Sequence, residues 1–243
     1  MPHLILDIGN TRSKIAVIND GVISCVHAVY DLNPDQIAAI CQQYGVSAAI
    51  ASVVGPQPDF DTLIPPHIRD RFHLLSHRSR LPISIDYETP ETLGMDRVAA
   101  AVGARILSRS HDPLLVVDAG SCITIDLLDQ YNVFRGGAIA PGLRMRFRAL
   151  HDFTAALPLV EPDDLFILLA GRNTNDSILA GVQEAAAIEI QGFAERYSAT
   201  LPNLKLFLTG GDADFFAKRL FFPNFANPNL LYIGLDNILK MNI

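Results

Sequence analysis

The chain has 243 residues, 49% of them hydrophobic and 19% charged, which excludes a disordered or collagen-like polymer and leaves one large domain or two modest ones. A formal net charge of -7 argues against non-specific nucleic-acid binding, because that binding needs Lys and Arg to replace counterions. Mean hydropathy is +0.24, yet no apolar run approaches the ~18 residues that span a bilayer. The expectation is therefore a chain without nucleic-acid or membrane partners, whose apolar residues fill an interior or a subunit interface.

Met1-Pro2-His3 leads straight into an apolar run, with no basic segment and no cleavage site of a secretory leader. Leu4–Ile8 and Arg12–Ile18 are predicted strands joined at the turn pair Gly9-Asn10, and Val22–Val29 extends the meander. Asn33–Tyr44 has helical spacing through Ile37, Ile40 and Cys41. Ala48–Val54 and Phe72–Leu75 follow as strands, and Pro90–Ser108 as a helix with Val98, Val102 and Ile106 on one face. Pro113 disfavours helix at Asp112, which sets the expected domain boundary: residues 1–112 and 113–243. Beyond it, Leu114–Ala119, Ile123–Leu128 and Val133–Ile139 are predicted strands, and Pro141 is placed to open a helix. Thr174–Tyr197 reads as one long Ala-rich helix with Ile178, Val182 and Ile188 inward. A strand over Leu204–Thr209, a helix over Asp212–Leu220 and a final helical segment, Ile233–Met241, complete a mixed α/β pattern. The three cysteines, Cys25, Cys41 and Cys122, form no CxxC and fit reduced, buried thiols of a cytoplasmic protein better than a disulfide framework.

One repeat organises the chain. Leu4-Ile5-Leu6-Asp7-Ile8-Gly9-Asn10-Thr11 resembles Leu115-Val116-Val117-Asp118-Ala119-Gly120-Ser121-Cys122. Each is a buried strand ending in Asp, one apolar residue, Gly and a small polar residue. A duplicated α/β domain, its two halves facing each other across a ligand cleft, explains the repeat. Glycine after the Asp lets backbone N–H groups approach phosphate oxygens. The Asp can hold a cation directly or through water, since Mg²⁺ needs only one or two carboxylates. Thr11, Ser13 and Ser121 can donate to phosphate, and Lys14 can reach one as a point charge. There is no GxxxxGK[ST], no GxGxxG and no nucleophile elbow around Ser121. Asp96, in Gly94-Met95-Asp96-Arg97, has two readings: a cap or charge at a helix N-terminus, or a base beside an anion-binding Arg97. Gly136–Gly142 is a further Gly-rich loop, and Arg144, Arg146 and Arg148 read as a solvated or partner-facing stripe. Gly210-Gly211-Asp212 either lets an adenine ring lie on the backbone or serves only to cap the next helix.

Asp7-Ile8-Gly9-Asn10-Thr11, Gly94-Met95-Asp96-Arg97, Asp118-Ala119-Gly120-Ser121, Gly136–Gly142, Gly171-Arg172-Asn173-Thr174 and Thr209-Gly210-Gly211, in that order, closely resemble type III pantothenate kinase. The resemblance implies the actin-like ATPase fold, with two ribonuclease-H-like domains around an ATP cleft. It implies ATP-dependent phosphorylation of pantothenate to 4′-phosphopantothenate, the first step of coenzyme A synthesis. It makes Asp7, Gly9, Asn10, Thr11, Arg12, Ser13 and Lys14 the first phosphate loop, with Asp7 organising Mg²⁺. It makes Asp96 the proton acceptor. Gly94, Met95, Asp96, Arg97, Tyr87 and Thr174 become contacts to pantothenate. Asp118 matches a ligand of a monovalent cation, potassium or ammonium, and Ser121 stands where the family usually has Thr. A homodimer is implied as well. Two alternatives remain open: another small-molecule kinase of the same fold, or a non-catalytic regulatory relative. The latter is expected to lack the Asp96 carboxylate or a phosphate loop, and this sequence has both.

Overall fold

The computed structural model describes residues 1–243. β1 (Pro2–Ile8) is buried on both faces, as suits the middle of a sheet. It pairs antiparallel with β2 (Ser13–Asn19), and β2 with β3 (Val22–Val29). The first connection spans residues 9–12, longer than the two-residue turn expected, so the second strand starts at Ser13 instead of Arg12. α1 (Pro34–Tyr44) begins where Asn33 accepts the N–H groups of Asp35 and Gln36, and ends at Gly45, whose φ of 62° suits glycine. β4 (Ala48–Val53) then runs parallel to β1. Two single-turn helices, α2 (Phe60–Leu63) and α3 (Pro66–Arg69), lead to β5 (Phe72–Leu74), parallel to β4. Leu4, Leu6, Ile15, Val17, Ala49 and Ala51 on one face of this sheet form a core with residues of α1, α2 and α3. Alternation sends His3, Ile5, Asp7, Lys14 and Ser52 to the other face.

A two-residue strand, β6 (Ser84–Ile85), and a 3₁₀ turn at Pro90–Thr92 precede α4 (Met95–Ser108). Next come β7 (Leu114–Ala119), β8 (Cys122–Leu128), β9 (Val133–Pro141) and α5 (Leu143–Asp152). Pro141 closes a strand; it does not open the helix, which starts two residues later. The predicted long helix is three pieces: α6 (Thr174–Leu179), a π turn at Ala180–Glu184, and α7 (Ala185–Ser198). A π turn inserts one residue into the helical phase. Ile178 and Val182 stay buried, whereas Ile188, expected inward, is 58% exposed; Ala186, Ala187 and Ile190 are buried instead. β10 (Lys205–Thr209), α8 (Ala213–Ala217) and β11 (Asn224–Ala226) follow. β7 and β8 are antiparallel, and β10 is parallel to both β7 and β11. The strand order β9-β8-β7-β10-β11 repeats β3-β2-β1-β4-β5 position for position, so the duplication read in the sequence is a duplication of topology.

The last helix, α9 (Leu230–Asn242), packs on α4 and not on the second sheet. Two glycines make that possible: a Cβ on Gly103 would sit 2.0 Å from the carbonyl oxygen of Leu230, and one on Gly234 would sit 1.8 Å from that of Ala99. Asp236 of α9 also binds His3 of β1 at 2.7 Å, and Lys240 at 2.6 Å. The chain accordingly divides into Met1–Arg109 with Asn132–Phe134 and Asn229–Ile243, and Ser110–Tyr131 with Arg135–Pro228. The sequence-based limits, 1–112 and 113–243, assign that closing helix differently. Val133 and Phe134, at the start of β9, pair with β6 and group with the first unit.

Candidate functional site

In the first unit, Asp7 lies one residue before the end of β1 and is 9% exposed. Burial pushes its carboxyl up to about 6; Lys14 pulls it down and the nearby Asp96 adds to the rise. Lys14 lies directly opposite on β2, with Nζ 3.7 Å from Asp7 Oδ2. Gly9, Asn10, Thr11 and Arg12 form the connection beyond Asp7; Asn10, Thr11 and Arg12 are exposed, and Ser13 is buried at the head of β2. The Arg12 guanidinium sits 5.4 Å from the ring centroid of Tyr30. On the other flank, Ser52 of β4 stands beside Asp7, fully buried, and its Oγ has no hydrogen-bond partner.

Asp96 is in the first turn of α4, and Gly94 takes the cap position. Its Oδ1 accepts the Arg97 backbone N–H at 2.9 Å, so the carboxylate folds back over the start of the helix. That fold needs Gly94, where a Cβ would fall 2.6 Å from Asp96 Oδ1. Burial raises the Asp96 carboxyl, and the Arg97 N–H bond and charge oppose that rise. Arg97 is buried, with its guanidinium 5.8 Å from the Phe134 ring centroid, and Met95 is buried beside it. Tyr87 is half-buried in the segment between β6 and the 3₁₀ turn. The fold thus sets Lys14 of β2 against Asp7 of β1 and brings Asp96 of α4 near enough for its charge to act on Asp7. The spacing of 96 − 7 = 89 residues gives no hint of this.

In the second unit, Asp118 occupies in β7 the place that Asp7 has in β1, one residue before the strand end. It faces Thr124 on β8 and Thr209 on β10. Gly210, at φ +92°, closes over it: a Cβ there would lie 2.4 Å from Asp118 Oδ1 and 2.3 Å from the carbonyl oxygen of Ala119. Gly142 approaches the carbonyls of Gly120 and Ser121 equally tightly, at 2.2 and 2.7 Å from its would-be Cβ. Ser121 is exposed in the two-residue turn between β7 and β8, and Gly211 has open space around it. Asp212 precedes α8 but gives it no side-chain cap; burial raises its carboxyl while Arg144 lowers it. Arg146 of the basic stripe pairs with Glu189 at 2.8 Å. Thr174 is exposed at the first position of α6, after the Asn173 cap.

Ser52 is a residue that sequence reading passed over. It is the one polar side chain in the apolar run Ala48–Val53, and that singularity is the signal.

Two repeats of one sheet topology, each carrying an Asp at the end of its first strand, define a duplicated ribonuclease-H-like fold of the actin-like ATPase class. Solved structures agree on the fold. A glucokinase from an Antarctic psychrotroph superposes with TM-score 0.52 at 14% identity, covering 98% of each chain. Component A of (R)-2-hydroxyglutaryl-CoA dehydratase from Acidaminococcus fermentans gives 0.54 at 13%, over 99% of this chain and 96% of that one. A Campylobacter jejuni protein whose description places it in the Baf family of transcriptional activators gives 0.61 at 23%, over 98% and 97%. Within this class the chain belongs to the type III pantothenate kinase family, whose family model matches residues 3–196. It is 40% identical to the type III pantothenate kinase of Cytophaga hutchinsonii over 99% of this chain and all of that one. It is likewise 40% identical to that of Bacteroides fragilis strain YCH46, over 99% and 98%.

Proposed function

We propose that this protein transfers the γ-phosphoryl group of ATP to the primary hydroxyl of pantothenate, giving 4′-phosphopantothenate for coenzyme A synthesis. Beyond family membership, the observation that carries this reading is the Asp7–Lys14 pair at the end of β1, Nζ to Oδ2 3.7 Å, with the charge of the buried Asp96 near enough to raise the Asp7 carboxyl further. Phosphoryl transfer asks a protein mainly to position groups and balance charge. Asp96 accepts the proton of the attacking hydroxyl, and its raised affinity brings it closer to the range where a base takes up a proton at working pH. Arg97, Tyr87, Met95 and Gly94 orient pantothenate around that hydroxyl, and Thr174 is a further contact that the family resemblance implies. Lys14, Gly9, Asn10, Thr11, Arg12 and Ser13 hold phosphate oxygens, as Ser121 does in the repeat.

Asp7 is the residue that would hold Mg²⁺. No group of three His, Cys, Asp or Glu side chains surrounds it. That suits an ion which takes one or two carboxylates and completes its shell with water and phosphate. When bound, Mg²⁺ supplies charge that offsets the β- and γ-phosphates. Asp118, the counterpart of Asp7 in the second repeat, is the residue that would hold the potassium or ammonium ion which the family resemblance implies, since a carboxylate offers the oxygen donors such a cation takes.

The homodimer is supported by an apolar surface on the second unit. Leu165, Ile167, Leu169 and Ile188 are all more than half exposed, and Leu169 and Ile188 line one hollow with the small residues Gly181 and Ala185. A cytoplasmic site of action is supported by the three cysteines being free thiols, although only Cys41 is buried as expected; Cys25 is half-buried and Cys122 exposed. No helix is long and apolar enough to cross a membrane. The test is a coupled assay of ADP release with and without pantothenate, in potassium and in sodium. Pantothenate-dependent release that is faster in potassium is expected. Release indifferent to pantothenate overturns the substrate, and equal rates in the two salts overturn the cation.

A further inference from the structure

Lys14, Asp7 and Ser52 form one row across the first sheet: Asp7 is in register with Lys14 on β2 and with Ser52 on β4. Registered neighbours in a sheet point to the same face, so the Ser52 hydroxyl and the Asp7 carboxylate project side by side. Ser52 is fully buried, and its Oγ makes no hydrogen bond in the resting protein. A buried hydroxyl without a partner is unfavourable, and this strand otherwise uses alanine at Ala48, Ala49 and Ala51. Alanine would fit at position 52 as well. The hydroxyl therefore has no visible use in packing.

The end of β4 is also fastened to the segment that carries Asp7. Val54 and Gly55 both donate their backbone N–H to the Ile8 carbonyl, at 2.9 and 3.2 Å. A Cβ on Gly55 would come within 2.5 Å of the Gly9 carbonyl oxygen. Ser52 therefore keeps its place beside Asp7 whatever the exposed part of the 9–12 connection does. In the resting protein Asp7 leans towards Lys14, at the loose distance of 3.7 Å, and Lys14 is itself half-exposed. A lysine recruited by a phosphate group leaves the β2 side of Asp7 without its cation. The donor on the β4 side of the same row is Ser52.

We infer that Ser52 is a positioning residue: its hydroxyl donates to the Asp7 carboxylate when Lys14 engages phosphate, and so fixes the direction in which Asp7 presents its oxygens. This rests on the reading of Asp7 and Lys14 as the phosphate and cation end of the site.

The test compares Ser52→Ala and Ser52→Cys with the parent protein, using kcat, KM for pantothenate and the melting temperature of the ligand-free protein. The expected result for Ser52→Ala is a kcat about 10- to 100-fold lower, the factor carried by one hydrogen bond to a charged group. KM for pantothenate should stay within about twofold, a split expected of an interaction that matters mainly in the transition state. The melting temperature should hold or rise, because an unpaired buried hydroxyl has gone. Ser52→Cys should behave like Ser52→Ala, since a thiol fills the space but donates weakly. A Ser52→Ala kcat within twofold of the parent overturns the inference. So does a melting temperature that falls together with kcat, or a full rescue by Cys, because each marks a packing role. Asp7→Asn separates the two levels. If it leaves turnover intact, the reading of Asp7 fails; if it abolishes turnover while Ser52→Ala does not, only the role of Ser52 fails.

Discussion

Asp7 is held at a cost to the fold, and Asp7→Asn should expose that cost. Its carboxyl is raised from an ordinary 3.8 to about 6 by burial, against the opposing pull of Lys14. The folded protein therefore binds this proton more tightly than the unfolded chain does. Stability falls as pH rises from about 4 to about 6 and is flat above that, as far as this group is concerned. A gap of roughly 2 pH units corresponds to about 3 kcal/mol at ~1.4 kcal/mol per unit. Asparagine has nearly the same shape and no charge, so it escapes the penalty. The ligand-free variant should match the parent near pH 4 and exceed it by up to about 3 kcal/mol at pH 8, or ~6–12 °C in melting temperature for a chain of this size. The assay is thermal unfolding of both proteins with a chelator present, from pH 4 to 8, alongside turnover at pH 8. Turnover should be lost where stability is gained. An Asp7→Asn protein that is no more stable at pH 8, or whose gain is the same at every pH, would refute the reasoning.

Asp96→Asn should preserve the fold, because Asn can still accept the Arg97 N–H, yet lower kcat by ~10²–10⁴-fold; a well-folded variant with near-parental kcat removes the base from Asp96. Gly234→Ala should lower stability by about 1–3 kcal/mol or more. Its new methyl meets the Ala99 carbonyl and the helix backbone has to move, so an unchanged melting temperature would show that α9 does not need that contact. Ile188→Glu should turn a dimer into a monomer in light scattering, without loss of secondary structure. A parent protein that is already monomeric at micromolar concentration, or a variant that stays dimeric, contradicts the proposed interface.

The two Asp-x-Gly strand ends were legible because a buried strand ending in a carboxylate and a glycine has few purely structural uses, and here it occurs twice. The apolar periodicity placed most of the central strands within a residue or two for the same kind of reason: sheet burial is written locally, in every second side chain. The family resemblance supplied what periodicity cannot, namely the substrate and the proposal that Asp96 is the base. Short elements escaped. β6 and β11 have two and three residues, too few for a period, and exist because neighbouring strands offer them partners. The π turn at Ala180–Glu184 was equally silent, since one inserted residue leaves composition unchanged while it rotates Ile188 out to the surface. The return of α9 to the first unit was hidden for a deeper reason. Gly103 and Gly234 look like ordinary helix-weakening residues in a linear reading, and their purpose appears only when two helix backbones, 131 positions apart (234 − 103), approach closely enough that any side chain would collide. Proximity between distant segments also brings Asp96 within electrostatic range of Asp7 and leaves the Ser52 hydroxyl without a partner. Residue types and local periods are properties of the chain, whereas the field each carboxylate feels is a property of what the fold packs around it.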